Sequence, residues 1–141
     1  MKKTLITLAL LIGIMVTMSC QATNGLVTAK DNGNITITGY KGTATDVVIP
    51  AQINGKPVVA IGEEAFADND LTSVTIPNSV TSIGERAFYD NQLTSITIEA
   101  NVSLGWYSFD NAFEAAYENS GRLAGTYTRS GSEWVRGEAA F

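Results

Sequence analysis

The sequence has no histidine, one cysteine and three prolines in 141 residues. Without histidine it lacks the usual general base, the commonest zinc ligand and every Ser-His-Asp or Cys-His arrangement, so most hydrolytic and metal chemistries lose a member at the outset. A single cysteine has no partner within the chain, so no internal disulfide forms. Charged residues are also scarce, at 16%, and they sum to −5; no basic stripe is available to meet a phosphate backbone, which excludes a nucleic-acid binder. Any catalysis would rest on carboxylates alone. What is present is a threonine-rich, strand-friendly composition with 45% hydrophobic residues, enough for one small domain.

The longest apolar run lies at the start. Lys2 and Lys3 form a positive segment, and Leu5 to Met18 follows without a charge, the layout of a secretory signal over residues 1–19. Those fourteen residues fall short of the about 20 that a membrane-crossing helix needs. Thr17-Met18-Ser19-Cys20 resembles the lipobox of bacterial lipoproteins, with Thr17 where that motif prefers Leu or Val. The resemblance implies an acylated Cys20 as the mature N-terminus; the alternative is ordinary cleavage after Ala22, which discards the cysteine. Loss of the leader lowers Lys+Arg from 9 to 7 against 14 acidic residues, for a net −7. Attachment to an anionic lipid surface would therefore have to come from acyl chains rather than charge. Residues 20–34, with few large apolar side chains and several Asn and Gly, read as a lipidated tether.

A shift of 22 positions aligns Ile61–Ile76 (IGEEAFADNDLTSVTI) with Ile83–Ile98 (IGERAFYDNQLTSITI), identical at twelve of sixteen positions. A period of about 20–29 residues carrying L-x-x-V/I-x-I marks a leucine-rich-repeat solenoid with one short strand per turn. The fold class expected is thus an α+β repeat, a solenoid over residues 35–105. By the strand's period of two, Leu71, Val74, Ile76, Leu93, Ile96 and Ile98 point inward and Ser73, Thr75, Ser95 and Thr97 outward. Gly62 and Gly84 read as turns, Glu-x-Ala-Phe as one helical turn burying Phe66 or Phe88, and Asp68-Asn69 and Asp90-Asn91 as return turns. Stacked calcium ligands are the other reading of these Asp-Asn pairs, although calcium asks for six to eight oxygens. Upstream, Asp46–Pro50 repeats Ser73–Pro77, with an insertion at Gln52–Ala60 whose Asn54-Gly55 signals a hairpin, and Ile35–Thr38 alternates as an N-terminal strand. Downstream, Val102 and Leu104-Gly105 echo Val80 and Ile83-Gly84, and the repeat stops.

Residues 106–141 read as a cap. Phe109, Ala112, Phe113, Ala116 and Tyr117 recur at helical spacing, which predicts a helix over 108–120 with Ser108 as N-cap and Gly121 as stop. Thr126–Arg136 alternates about Ser130-Gly131-Ser132 as a hairpin. Trp106, Tyr107, Tyr127 and Trp134 crowd here, and the last coil's need for apolar cover accounts for them; a sugar-stacking platform is the alternative.

The IGEEAF…LTSVTIP and IGERAF…LTSITI motifs, with ITGYKGTATDVVIPAQINGKPVVAIGEEAF upstream, are similar to the BspA-like leucine-rich repeat proteins over about residues 35–105. That resemblance implies a bacterial surface or secreted protein without catalytic activity or cofactor, often an adhesin for host matrix, host cells or other bacteria. Its partner would be a surface protein or glycan. The face expected to bind comprises Ser73, Thr75, Ser95 and Thr97, flanked by Asp46, Val48 and Glu99. Four strands at about 4.8 Å spacing give only about 300 Å², against about 800 Å² per partner in a standard interface, so binding would rely on many anchored copies. The alternative function is a structural envelope lipoprotein, or a shortened adhesin duplicate without its own ligand. A carboxylate-pair glycosidase has Glu63, Glu64, Glu85, Asp68 and Asp90 to draw on, but acids at fixed repeat offsets fit a solvated edge better than a cleft.

Overall fold

The computed structural model describes residues 24–137. The signal segment, Cys20 and the start of the tether lie outside the described residues. Among those described, no helix is long and apolar enough to cross a membrane.

Strand direction organises the chain into two sheets that face each other across one core. The first contains β1 (Leu26–Asp31), β2 (Asn34–Tyr40), β5 (Lys56–Ile61), β7 (Ser82–Ile83) and β9 (Ser103–Leu104) in that order, with β4 (Gln52–Ile53) paired to β5. The second runs β11 (Glu133–Arg136), β10 (Gly125–Ser130), β8 (Ser95–Ile98), β6 (Ser73–Thr75), β3 (Asp46–Val48). Each coil thus contributes a second short strand beyond the one the period implied. Pairing within the coils is parallel, and the register is that of the 22-residue shift: Ser73 faces Ser95, Val74 faces Ile96 and Thr75 faces Thr97. Ile35–Thr38 belongs to the sheet opposite the expected binding face, and the C-terminal hairpin supplies the outer strands on that face instead.

The inward row is buried throughout: Val47, Val74 and Ile96, then Ile49, Ile76 and Ile98, against Val58, Ile61 and Ile83 from the other sheet. A line of rings threads the core from coil to coil. Tyr40, Phe66, Phe88, Phe109 and Phe113 follow one another at centroid distances of 5.3, 4.9, 4.7 and 4.7 Å. Aromatic pairs at this spacing add about 0.5–1.5 kcal/mol each beyond their buried area.

Four readings are corrected by the structure. Half of the expected tether is strand: β1 pairs antiparallel with β2 across Asn32-Gly33, both with positive φ (46° and 85°), the backbone of a type I′ hairpin. Asn54-Gly55 turns the same way, as expected. The glycines of the I-G motif have ordinary negative φ; they are required because a Cβ at Gly84 would lie 2.6 Å from the Glu63 backbone nitrogen, and one at Gly105 2.5 Å from that of Glu85. No helical turn forms over Glu-x-Ala-Phe; a left-handed residue at Glu64 and Arg86 (54° and 53°) makes a tight turn that still buries Phe66 and Phe88. Finally, the helix α1 (Asn111–Asn119) is capped by Asp110, whose carboxylate accepts from the Phe113 N–H at 2.8 Å. Ser108 is buried and donates instead to Glu114 Oε1 at 3.1 Å.

Candidate functional site

The second sheet carries the residues expected to bind. Parallel pairing sets Asp46, Ser73 and Ser95 in one outward row and Val48, Thr75 and Thr97 in the next. The antiparallel β10 continues both rows, placing Thr128 beside Ser95 and Thr126 beside Thr97. Of the seven residues expected there, Ser73, Thr75, Ser95 and Thr97 form a half-buried grid, Asp46 and Val48 (54%) are exposed at its edge, and Glu99 is exposed one residue past β8. Five strands at about 4.8 Å make the face roughly 24 Å wide. Some of its hydroxyls are tied within the chain. Ser73 Oγ donates to Asp46 Oδ1 at 2.8 Å, as does Thr72 Oγ1 at 3.0 Å, and Thr97 Oγ1 lies 2.9 Å from Thr126 Oγ1.

The long edge, where the chain crosses from the first sheet to the second, is built differently. Backbone bonds stack its turns: the Glu64 N–H donates to Glu85 O and the Arg86 N–H to Trp106 O, both at 3.0 Å. The Phe66 N–H reaches Ala87 O at 2.7 Å and the Phe88 N–H reaches Ser108 O at 2.8 Å. Below them Asn91 serves as a rung, its amide donating to Phe66 O at 2.7 Å and Phe88 O at 3.0 Å while its oxygen accepts from the Leu71 N–H at 3.0 Å. Asn69 donates likewise to Phe66 O and Ala67 O. Both amides are committed to backbone, which explains the Asp-Asn pairs without a cation. Asp68 and Asp90 take left-handed φ (54° and 53°). Glu63, Glu64, Glu85, Asp68 and Asp90 are all exposed along this edge.

The bonds of this ladder also show that the repeat does not stop at Gly105. Leu104-Gly105-Trp106-Tyr107-Ser108-Phe109-Asp110-Asn111 occupies the place of Ile83-Gly84-Glu85-Arg86-Ala87-Phe88-Tyr89-Asp90. Sequence reading missed this coil because the Ala became Ser and the charged pair became aromatic. Of the four aromatics assigned to the cap, Tyr127 and Trp134 are buried, whereas Trp106 is 79% and Tyr107 47% exposed. The cap itself is tied by polar ends of buried rings. Trp134 Nε1 donates to Asp110 at 3.1 Å, Tyr127 donates to Leu123 O at 2.8 Å, and Tyr117 donates to Glu99 O at 2.6 Å while accepting from the Val102 N–H. Burial raises the Tyr117 phenol above its ordinary pKa. A hydrogen bond to Glu118 does the same for the exposed Arg122.

Residues 40–118 match the BspA type leucine rich repeat region, a region of six copies. The chain belongs to the BspA-type leucine-rich repeat family. Among solved structures, a leucine rich repeat protein of T. pallidum is 30% identical, with a TM-score of 0.54 over 72% of this chain and 46% of that one. A leucine-rich repeat protein from Bacteroides capillosus is 34% identical over 55% of this chain and 65% of that one, with a TM-score of 0.43. A leucine rich cell surface protein from Faecalibacterium prausnitzii is 32% identical over 60% and 28%, with a TM-score of 0.47. This chain therefore spans about half the length of the first of these relatives and less than two thirds of the others. No curated protein matches. BspA-type repeat proteins are typically bacterial surface proteins and non-enzymatic binding modules, which fits an exported interaction module.

Proposed function

We propose that this BspA-type chain is a non-enzymatic cell-surface binding module, anchored through acylated Cys20, that engages a host or bacterial surface protein or glycan through the outward face of β3, β6, β8 and β10. The supporting observation is the register, which aligns Ser73 with Ser95 and Thr75 with Thr97 and carries both rows on to Thr128 and Thr126. A face roughly 24 Å wide and, with core strands of three to four residues, about 10–13 Å long offers about 300 Å², well below the about 800 Å² per partner of a standard interface, so single contacts are weak and adhesion comes from dense display. One observation favours the second reading, a structural envelope lipoprotein or shortened adhesin duplicate: the Asp46–Ser73 and Thr97–Thr126 bonds commit Ser73, Thr97 and Thr126, half of the hydroxyls in the two rows, to partners within the chain.

Thr75→Arg with Thr97→Glu separates the two. The substitutions place bulky side chains outward while Val74, Ile76, Ile96 and Ile98 stay packed, so stability changes by less than about 1 kcal/mol. Beads densely coated with the double variant are expected to lose attachment to matrix-coated surfaces or partner bacteria that hold wild-type beads. Equal attachment removes the face as the site; no attachment by wild-type beads supports the structural reading. The anchor is checked by metabolic labelling with a fatty-acid probe, which is expected to mark the wild type and leave Cys20→Ser unmarked. A mature N-terminus at Thr23 would replace the anchor with simple secretion.

A further inference from the structure

The outward pair of the [IL]-G-x-x-[AS]-F turn is Glu63-Glu64 in one coil, Glu85-Arg86 in the next, and Trp106-Tyr107 in the third. Equivalent backbone bonds hold all three turns, so the aromatic pair is projected into solvent by the same geometry that projects the charges. Core packing does not account for it. Exposing a Trp to 79% forgoes burial worth about 1.5–3 kcal/mol for a large apolar side chain, and a solvated turn position elsewhere filled by Glu and Arg had no need of one.

Two open hollows of mixed polar and apolar lining flank the pair. On one side Trp106 and Tyr107 line a hollow of about 290 Å³ with Leu104, Glu114 and Glu118. On the other, Tyr107 lines a hollow of about 440 Å³ with Tyr89, Asp90, Asp110 and Asn111 among others. Tyr89 is itself 49% exposed, with the Arg86 guanidinium 6.0 Å from its ring centre. Three carboxylates here are already held. Glu114 Oε1 accepts from Ser108 Oγ and the Phe109 N–H at 3.1 Å, and Glu118 Oε1 from Arg122 at 2.8 Å. Asp110 caps the helix and accepts from Trp134 Nε1.

We propose that this edge is a binding site for a neutral glycan chain, separate from the strand face. The C–H-rich face of a pyranose ring suits the negative face of an exposed indole or phenol. The held carboxylates offer fixed lone pairs to its hydroxyls, so little ordering accompanies binding. A cationic partner fits less well, because the charges of Glu118 and Asp110 are already answered by Arg122 and by Trp134, the helix and Arg129 (3.7 Å). An anionic glycan would meet carboxylates on both sides of Tyr107.

The test uses cellohexaose, maltohexaose, mannohexaose and chitohexaose as neutral probes, with a galacturonate hexamer and oligolysine as charged ones. Trp134 is 7% exposed and Trp106 79%, so a ligand-induced blue shift of tryptophan emission reports on Trp106, and calorimetry confirms the affinity. At least one neutral hexasaccharide is expected to bind, with affinity falling tenfold or more in Trp106→Ala and in Tyr107→Asn. Asn is chosen because Tyr107 has a φ of 54°, a conformation that Asn tolerates. Both variants are expected to keep the wild-type melting midpoint, and Thr75→Arg with Thr97→Glu to bind as the wild type does, which keeps this site independent of the strand face. The proposal is overturned if no neutral hexasaccharide binds, if binding survives both aromatic substitutions, or if only a charged probe binds; oligolysine alone would indicate a basic protein partner.

Discussion

Phe113→Ala is expected to cost about 3–5 kcal/mol in denaturant melts, a large share of the 5–15 kcal/mol typical of a domain. The Phe113 ring is fully buried and sits where the repeat ends and the cap begins. It meets Phe109 at 4.7 Å, Tyr127 and Trp134 edge-on at 5.4 Å, and Tyr117 at 6.0 Å. Its neighbours have little freedom to collapse into the space left behind, because Tyr117, Tyr127 and Trp134 are each pinned by a polar end bonded to Glu99, Leu123 and Asp110. The cavity should therefore persist, which places the cost at the upper end of the large-to-small range. Trp106→Ala is the control, within about 0.5 kcal/mol. A loss under about 1 kcal/mol for Phe113→Ala would show that the cap unfolds separately from the coils.

The two aromatic groups of this comparison also mark what the sequence does and does not make legible. The identity of Ile61–Ile76 with Ile83–Ile98 is strong enough to specify strand direction, register and the inward row, because every inward position reappears at a fixed offset. The grid of Ser73, Thr75, Ser95 and Thr97 follows from that register. In the third coil composition and register disagree: Trp106 and Tyr107 look like cap residues, while Leu104-Gly105 and Phe109 give them the solvent-facing places of Glu85 and Arg86. Pattern reading followed composition, whereas the backbone ladder through Trp106 O and Ser108 O follows register. The N-terminal hairpin had a visible signal, Asn32-Gly33 between LVTAKD and NITITGY, but β1 is exposed at five of its six positions. It thus offers no apolar stripe to mark it. Ser108 reads as the helix cap because Phe109 fits helical spacing with Phe113; Phe109 is in fact the coil's stacking ring, and the helix starts after it.

The second large effect is expected at Asn91. Asn91→Ala removes the acceptor of the Leu71 N–H and the side-chain donor to Phe88 O, leaving two partly buried backbone groups without these partners. An orphaned group of this kind costs about 1–3 kcal/mol, so a total of about 2–4 kcal/mol is expected. Phe66 O retains Asn69 as a donor at 3.2 Å and adds little. Asn91→Asp keeps the acceptor and deletes the donors, and should fall between the alanine variant and the wild type at low pH, where the protonated carboxyl regains one donor. Equal melting midpoints for Asn91→Ala and the wild type would mean that the rung contributes nothing beyond turn formation.

A stack of near-identical coils is a template onto which a second molecule's coil can add, and open sheet ends are where such addition begins. Here a hairpin closes two of those ends. β1 is outermost in its sheet and runs antiparallel to β2, so it does not present the parallel register that an incoming coil would need; in the other sheet the β10–β11 hairpin adds two antiparallel pairings beyond β8, and its outer strand β11 is exposed at three of its four positions. The remaining ends are short: β9 has two residues, and β3 has three, with exposed Asp46 among them. The hairpins and short edges thus act against filament growth, and they let a chain with few coils be crowded at high density without its molecules joining end to end.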